Sequence, residues 1–136
     1  MRIILDTNVF ISGVFFPQGP PRQILQGWKT GKLTLVVSPQ ILEEYSGTFN
    51  DLRNKYPAVD ATDVMDLVLV NSEIYQSKSL VESVCEDADD DMFIACAMTV
   101  GVKIIISGDK HLLRVSGYED IQVLKPRDFV ERYLSE

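Results

Sequence analysis

A chain of 136 residues that is 46% hydrophobic and 24% charged predicts one folded domain, residues 1–136, around one core, and excludes a disordered tail. No apolar run reaches the length of a membrane span. The formal net charge of −7 argues against non-specific nucleic-acid binding through a basic surface, but not against a nucleic-acid enzyme, because divalent metals neutralise a carboxylate-rich site.

The N-terminal MRIILDTNVF has too short an apolar run for a signal peptide, and Arg2–Leu5 within it reads as a buried first strand ending at Asp6. Residues 9–16 are apolar and read as a helix. Pro17, Gly19, Pro20 and Pro21 break the chain, and a proline opens the next helix, which runs to Thr30. Leu33–Val37 is a second strand. Ser38 caps a helix that Pro39 opens and Glu43 or Glu44 supports, and Tyr56-Pro57 ends it beyond Lys55. Residues 60–70 form another helical stretch and residues 73–76 a short edge strand. Cys85 and Cys96 lack metal spacing and read as free or buried thiols of a reducing cytosol, so a cytoplasmic location is expected. Asp89–Val100 is an amphipathic helix stopped by Gly101, with Phe93, Ile94, Ala97 and Met98 as its buried stripe. Lys103–Ile106 is a third buried strand and residues 109–113 a helical turn. Ile121–Leu124 is the last strand, and Pro126 starts a final helix to Leu134. This alternation predicts an α/β fold, a three-layer α/β/α sandwich with a central, mainly parallel sheet of four or five strands.

Ligands of such sheets bind beyond the carboxyl ends of the strands. There the chain supplies acids: Asp6 after the first strand, Glu43 and Glu44 one turn into the helix after the second, and Asp109 after the third. Five more, Glu86, Asp87, Asp89, Asp90 and Asp91, open the long helix. Carboxylates meeting on one rim repel one another unless a cation offsets the charge. Helical phase selects among them. Asp90 lies three and four residues before Phe93 and Ile94, so it extends the buried stripe toward the rim. In the earlier helix Ile41, Leu42, Tyr45 and Phe49 mark the stripe, and Glu44 lies nearer to it than Glu43.

The candidate set is therefore Asp6, Glu44, Asp90 and Asp109. Helix capping is the plainer reading of Glu43, Glu86, Asp89 and Asp91, and accounts for Asp90 equally well when that residue is taken alone. Asp87 and Asp91 are secondary candidates. Thr7, Asn8 and Ser107 are placed either to hydrogen-bond the carboxylates or a bound water, or to serve as turn residues. Hard oxygen donors favour Mg²⁺ or Mn²⁺. Other chemistries fit worse. DADDD begins like a calcium loop, but its sixth position is Met92 and its twelfth Met98, where glycine and glutamate are required. There is no phosphate-binding glycine loop, and His111 is the only histidine, which leaves zinc-hydrolase motifs and a Ser-His-Asp triad without partners.

In this order, LDTNVFIS, LVVSPQILEEY, DADDDMFIACA and IIISGDKHLL resemble the PIN-domain ribonucleases, close to the VapC-like branch of toxins from toxin–antitoxin pairs. The resemblance spans almost the whole chain. It implies an α/β/α fold and an acidic pocket for Mg²⁺ or Mn²⁺, with its acids at Asp6, Glu44, Asp90 and Asp109. It implies cleavage of single-stranded RNA, an antitoxin protein as partner, and a homodimer for which helices 39–55 and 60–71 offer surface. Ala88 departs from the branch, which usually has proline in Asp-Pro-Asp-Asp. On this reading Asp6 and Asp90 are metal ligands, Asp109 a ligand directly or through water, and Glu44 a ligand or the group orienting the nucleophilic water. Arg22, Lys29 and Lys32 are candidates to line one flank of the site for RNA, with Lys110 beside it, and solvated surface cations are the plainer reading of all four. Two rivals share strand-end aspartates: a Mg²⁺-dependent phosphoryl-transfer domain of receiver or phosphatase type, and a degenerate PIN scaffold without activity. The phosphatase pattern needs Asp-x-Asp after the first strand, where this chain has Asp6-Thr7-Asn8.

Overall fold

Three consecutive buried side chains in a strand mean that both of its faces are covered, because successive side chains alternate. β1 (Arg2–Leu5) buries Ile3, Ile4 and Leu5, and β2 (Thr34–Val37) buries Leu35, Val36 and Val37. β3 (Ser72–Ile74), β4 (Ile104–Ile106) and β5 (Gln122–Leu124) complete one sheet in the order β3-β2-β1-β4-β5. The computed structural model describes residues 1–55, 57, 61–80 and 82–134. Every pairing is parallel, with Ile3 beside Leu35, Val36 beside Glu73, Leu5 beside Ile106 and Ile105 beside Val123. All carboxyl ends therefore share one rim.

Helices flank the sheet in a three-layer α/β/α sandwich. α1 (Thr7–Phe15) packs on α2 (Pro20–Lys29) and on α3 (Pro39–Leu52). α4 (Ala61–Asn71) follows α3, α5 (Asp91–Val100) lies against β1 and β4, and α7 (Pro126–Phe129) closes on α2. α6 (Lys110–Leu113) is a single turn beside β5. As expected, Ser38 caps α3, its Oγ accepting the Ile41 N–H at 3.2 Å, and Gly101 ends α5 with φ of 82°. Among the described residues no helix is long and apolar enough to cross a membrane.

Several boundaries differ from the sequence reading, each for a local reason. α1 starts at Thr7, not at residue 9, because the Asp6 carbonyl already accepts the Val9 and Phe10 amides and the strand passes straight into the helix. α3 ends at Leu52; the expected stop at Tyr56 and helix start at Asp60 lie outside the described residues. The expected helix from Asp89 is split into a 3-10 turn, Ala88–Asp90, and α5, because the Asp87 carboxylate caps the turn at the Asp89 amide. The edge strand is Ser72–Ile74, not 73–76. Past Phe129 the last helix widens into a π-type turn over Val130–Leu134. Met98 does not belong to the buried stripe of α5. It is 43% exposed and lines a cleft under segment 78–84, while Cys96 takes its place in the core.

The core under the rim is aromatic. Phe10 stacks on Tyr45 with centroids 4.4 Å apart and meets Phe49 edge-on at 5.8 Å. The Tyr45 hydroxyl donates to the Leu5 carbonyl, so α3 is bonded to the last residue of β1. α1 approaches α2 closely because Gly13 has no side chain: a Cβ there would sit 2.7 Å from Leu25 Cγ and 2.8 Å from the Pro21 carbonyl oxygen. Gly13→Ala is expected to destabilise the protein by about 1–3 kcal/mol through overpacking, read as a lower urea midpoint at unchanged slope. A midpoint at or above wild type would show that the two helices can separate freely.

Candidate functional site

The β1–β4 register sets Asp6 and Ser107 side by side, one residue beyond Leu5 and Ile106. Ser107 Oγ donates to Asp6 Oδ2 at 2.6 Å and accepts the Asp109 amide at 2.9 Å. Asp6 is only 5% exposed, and Ser107 is fully buried. Burial raises the Asp6 pKa most, the Ser107 hydrogen bond opposes it, Asp109 raises it again, and the Asn8 and Thr7 amides lower it; the net shift is upward. Asp109 caps α6, its Oδ1 accepting the His111 amide at 2.7 Å.

Asp90 ends the 3-10 turn and faces the same place. Burial, then Asp109, Asp6 and Asp87, push its pKa up to about 6, against a smaller lowering by His111. Its Oδ2 is buried without a hydrogen-bond partner, as is Thr7 Oγ1. Asp6, Asp90 and Asp109 thus form one electrostatic group assembled from three separate stretches of chain. Glu44 makes no direct bond to them. Glu43 and Glu44 are both exposed on α3, and among the described residues no hydrogen bond or ion pair joins Glu44 to the three aspartates.

The remaining candidates divide by what their atoms touch. Asp91 faces away, accepting the Val84 amide at 3.1 Å, the Cys85 amide at 2.7 Å and the Ser83 hydroxyl. Burial raises its pKa, but these hydrogen bonds outweigh it and the net shift is downward. Asp87 caps the turn before Asp90. Asn8 is exposed beside Asp6, and Thr7 is buried. Arg22 does not line a basic flank: its guanidinium donates to the Phe16 and Val14 carbonyls, both at 3.1 Å. Lys29, Lys32 and Lys110 remain exposed. Sequence reasoning missed Glu86, which bridges His111 and Arg114 across 25 and 28 residues with no local signal, and Tyr45, whose phenol supports the end of β1.

The donors fit a hard divalent cation. They are all oxygen, two are buried without partners, and the repulsion among the three carboxylates outweighs the small relief that His111 gives Asp90. Among the described residues no three His, Cys, Asp or Glu side chains already stand at ligand spacing. Asp109 lines a groove of about 310 Å³ with Asn8, Ser12, Pro21, Gly108 and Pro126; Asp6 and Asp90 are not among its lining residues. The larger cleft, about 850 Å³, lies under segment 78–84 and contains none of the three aspartates.

Comparison with known proteins agrees with the fold. Residues 2–111 match the PIN domain family. The chain belongs to the PIN-domain family. An uncharacterized protein of Methanocaldococcus jannaschii, MJ1680, is 29% identical over 147 residues, which cover 98% of this chain and 92% of that one. The PIN fold is also matched by the crystal structure of VapBC2 from Rickettsia felis, bound to a DNA fragment from their promoter. The TM-score is 0.61 at 13% identity, covering 92% of this chain and 98% of that chain.

The raised carboxylates make the stability of this PIN domain pH-dependent. The contribution of Asp6 and Asp90 is fully present below the ordinary carboxylate pKa. It is lost as pH rises through their folded values, which for Asp90 is about 6. Asp91 acts with the opposite sign, but below the ordinary value. Asp90→Asn is therefore expected to raise the melting temperature of the metal-free protein by roughly 2–4 °C above about pH 6, and to change little near about pH 4. A thermal-shift series across pH checks this; a lower melting temperature for the variant at high pH would contradict the repulsion.

Proposed function

We propose that this PIN domain is a metal-dependent endoribonuclease that hydrolyses phosphodiester bonds of single-stranded RNA, and that it acts as the toxin of a toxin–antitoxin pair. The observation that carries the reading is the meeting of Asp6, Asp90 and Asp109 on one rim, with Asp90 Oδ2 and Thr7 Oγ1 buried and unpartnered. Mg²⁺ or Mn²⁺, when bound, neutralises developing phosphate charge and acidifies a coordinated water.

The protein's own residues do the rest. Asp6 and Asp90 hold the cation. Asp109 spends Oδ1 on the His111 amide and keeps Oδ2 for the cation or a water. Ser107 fixes the Asp6 carboxylate and the Asp109 backbone at once, so two acids from distant parts of the chain keep one orientation. Thr7 Oγ1 offers a further hydrogen bond to a water or a substrate oxygen. Glu44, on the solvent side of α3, orients water rather than binding the cation. Single-stranded RNA suits the narrow groove beside Asp109 because its backbone can bend.

The likeness to the VapBC2 structure supports an antitoxin partner. A homodimer is supported by Leu69 and Val70 on α4, which are 53% and 80% exposed. The two buried free thiols fit a cytoplasmic location.

The test is cleavage of a labelled single-stranded RNA by the purified protein with Mn²⁺. EDTA is expected to abolish it. Asp6→Asn and Asp90→Asn should each lose roughly 100-fold or more in rate, and Glu44→Gln only about tenfold. Folded Asp6→Asn and Asp90→Asn proteins that cut as fast as wild type would end this reading.

A further inference from the structure

Glu86 joins the two segments that carry the acids. Its Oε2 accepts from Arg114 Nη1 at 2.7 Å and lies 2.9 Å from His111 Nδ1, which donates to it in the Nδ1–H tautomer. Among the described residues, the hydrogen bonds that link segment 82–90 to segment 107–116 all end on this one carboxylate. Segment 82–90 has only the short 3-10 turn for regular structure, and its other hydrogen bonds run to its own backbone or to Asp91. The bridge is therefore the side-chain link between the segment that ends at Asp90 and the segment that carries Asp109, beside the packing of α5 on β1 and β4.

Its location shows why a bridge is needed. Asp90 and Asp109 repel each other, and Asp6 repels Asp90 as well, so the charges of the rim oppose the approach of segment 82–90. One turn of α6 separates Asp109 from Arg114, so holding Arg114 holds the segment that presents Asp109. The Glu86 and Arg114 side chains are 65% and 61% exposed, which makes the pair a weak contributor to global stability. Its effect is local: it sets a spacing.

We propose that Glu86, His111 and Arg114 form a positioning clamp that fixes the separation of Asp90 and Asp109, and with it the affinity of the acidic centre for a divalent cation. The inference rests on the metal-nuclease reading above, but its mechanical half does not.

The experiment uses the intact chain in two arms. In the first, Mn²⁺ binding is measured by electron paramagnetic resonance for wild type, Glu86→Ala, Arg114→Ala and the double variant. Arg114→Ala discriminates. Simple electrostatics makes removal of a cation near an acidic site tighten Mn²⁺ binding, whereas loss of the clamp weakens it by about tenfold. Glu86→Ala should weaken binding to a similar extent, and the double variant little further, because one bridge is being broken twice. In the second arm, amide hydrogen exchange of the metal-free proteins should quicken in residues 84–90 and 109–114 of both single variants, with the rest of the sheet unchanged. Mn²⁺ binding by Arg114→Ala as tight as or tighter than wild type overturns the proposal, as does unchanged exchange in both segments. Failure of wild type to bind Mn²⁺ sinks the nuclease reading instead, and the exchange arm then decides the clamp alone.

Discussion

One parallel register, Leu5 beside Ile106, governs where the charges of this protein meet. It places Asp6 and Ser107 next to each other although 101 residues separate them, and the 2.6 Å hydrogen bond between them is the compensation that a buried carboxylate needs. The same serine oxygen receives the Asp109 amide, so the start of α6 takes its position from the end of β1. Tyr45 reinforces that end from below through the Leu5 carbonyl, stacked on Phe10. Sheet, aromatic core and acidic rim are thus one construction. A shift of register would move Ser107 away and leave the buried Asp6 with only the Asn8 and Thr7 amides.

Around that fixed point the acids take different tasks, and the hydrogen-bond donors near each one decide which. Asp91 faces three donors from residues 83–85 and becomes a tether between that loop and α5. Asp87 meets one amide and becomes a cap. Asp109 divides itself between a cap and the rim. Asp90 finds no donor for its buried Oδ2, and Asp109, Asp6 and Asp87 all repel it, so it carries the least relieved charge of the group. Repulsion of this kind is what a positive ligand would relieve. The Glu86 bridge belongs to the same balance, since it holds together two segments that their own charges drive apart.

The sequence made the elements legible because most of them are locally encoded. Buried β-branched runs mark β1, β2 and β4, and Ser38-Pro39 and Gly101 mark the ends of helices. Errors fell where a tertiary contact outranks the local pattern. The phase of α5 puts Met98 on the buried side, but segment 78–84 leaves a cleft over that flank. Asp6 was expected to end a strand before a loop, yet its carbonyl already starts α1.

By itself the sequence determined the alternation of strands and helices and the rule that acids at strand exits share a rim, because period and chain order suffice for both. The selection of Asp90 over its neighbours was within reach for the same reason: it is a matter of helical phase. Only the tertiary structure decided that Ser107 partners Asp6, that Asp91 turns to the 83–85 amides, and that Glu86 reaches Arg114 across 28 residues. Those choices depend on which donor comes within about 3 Å of which oxygen, a distance set by the packing of segments far apart in the chain.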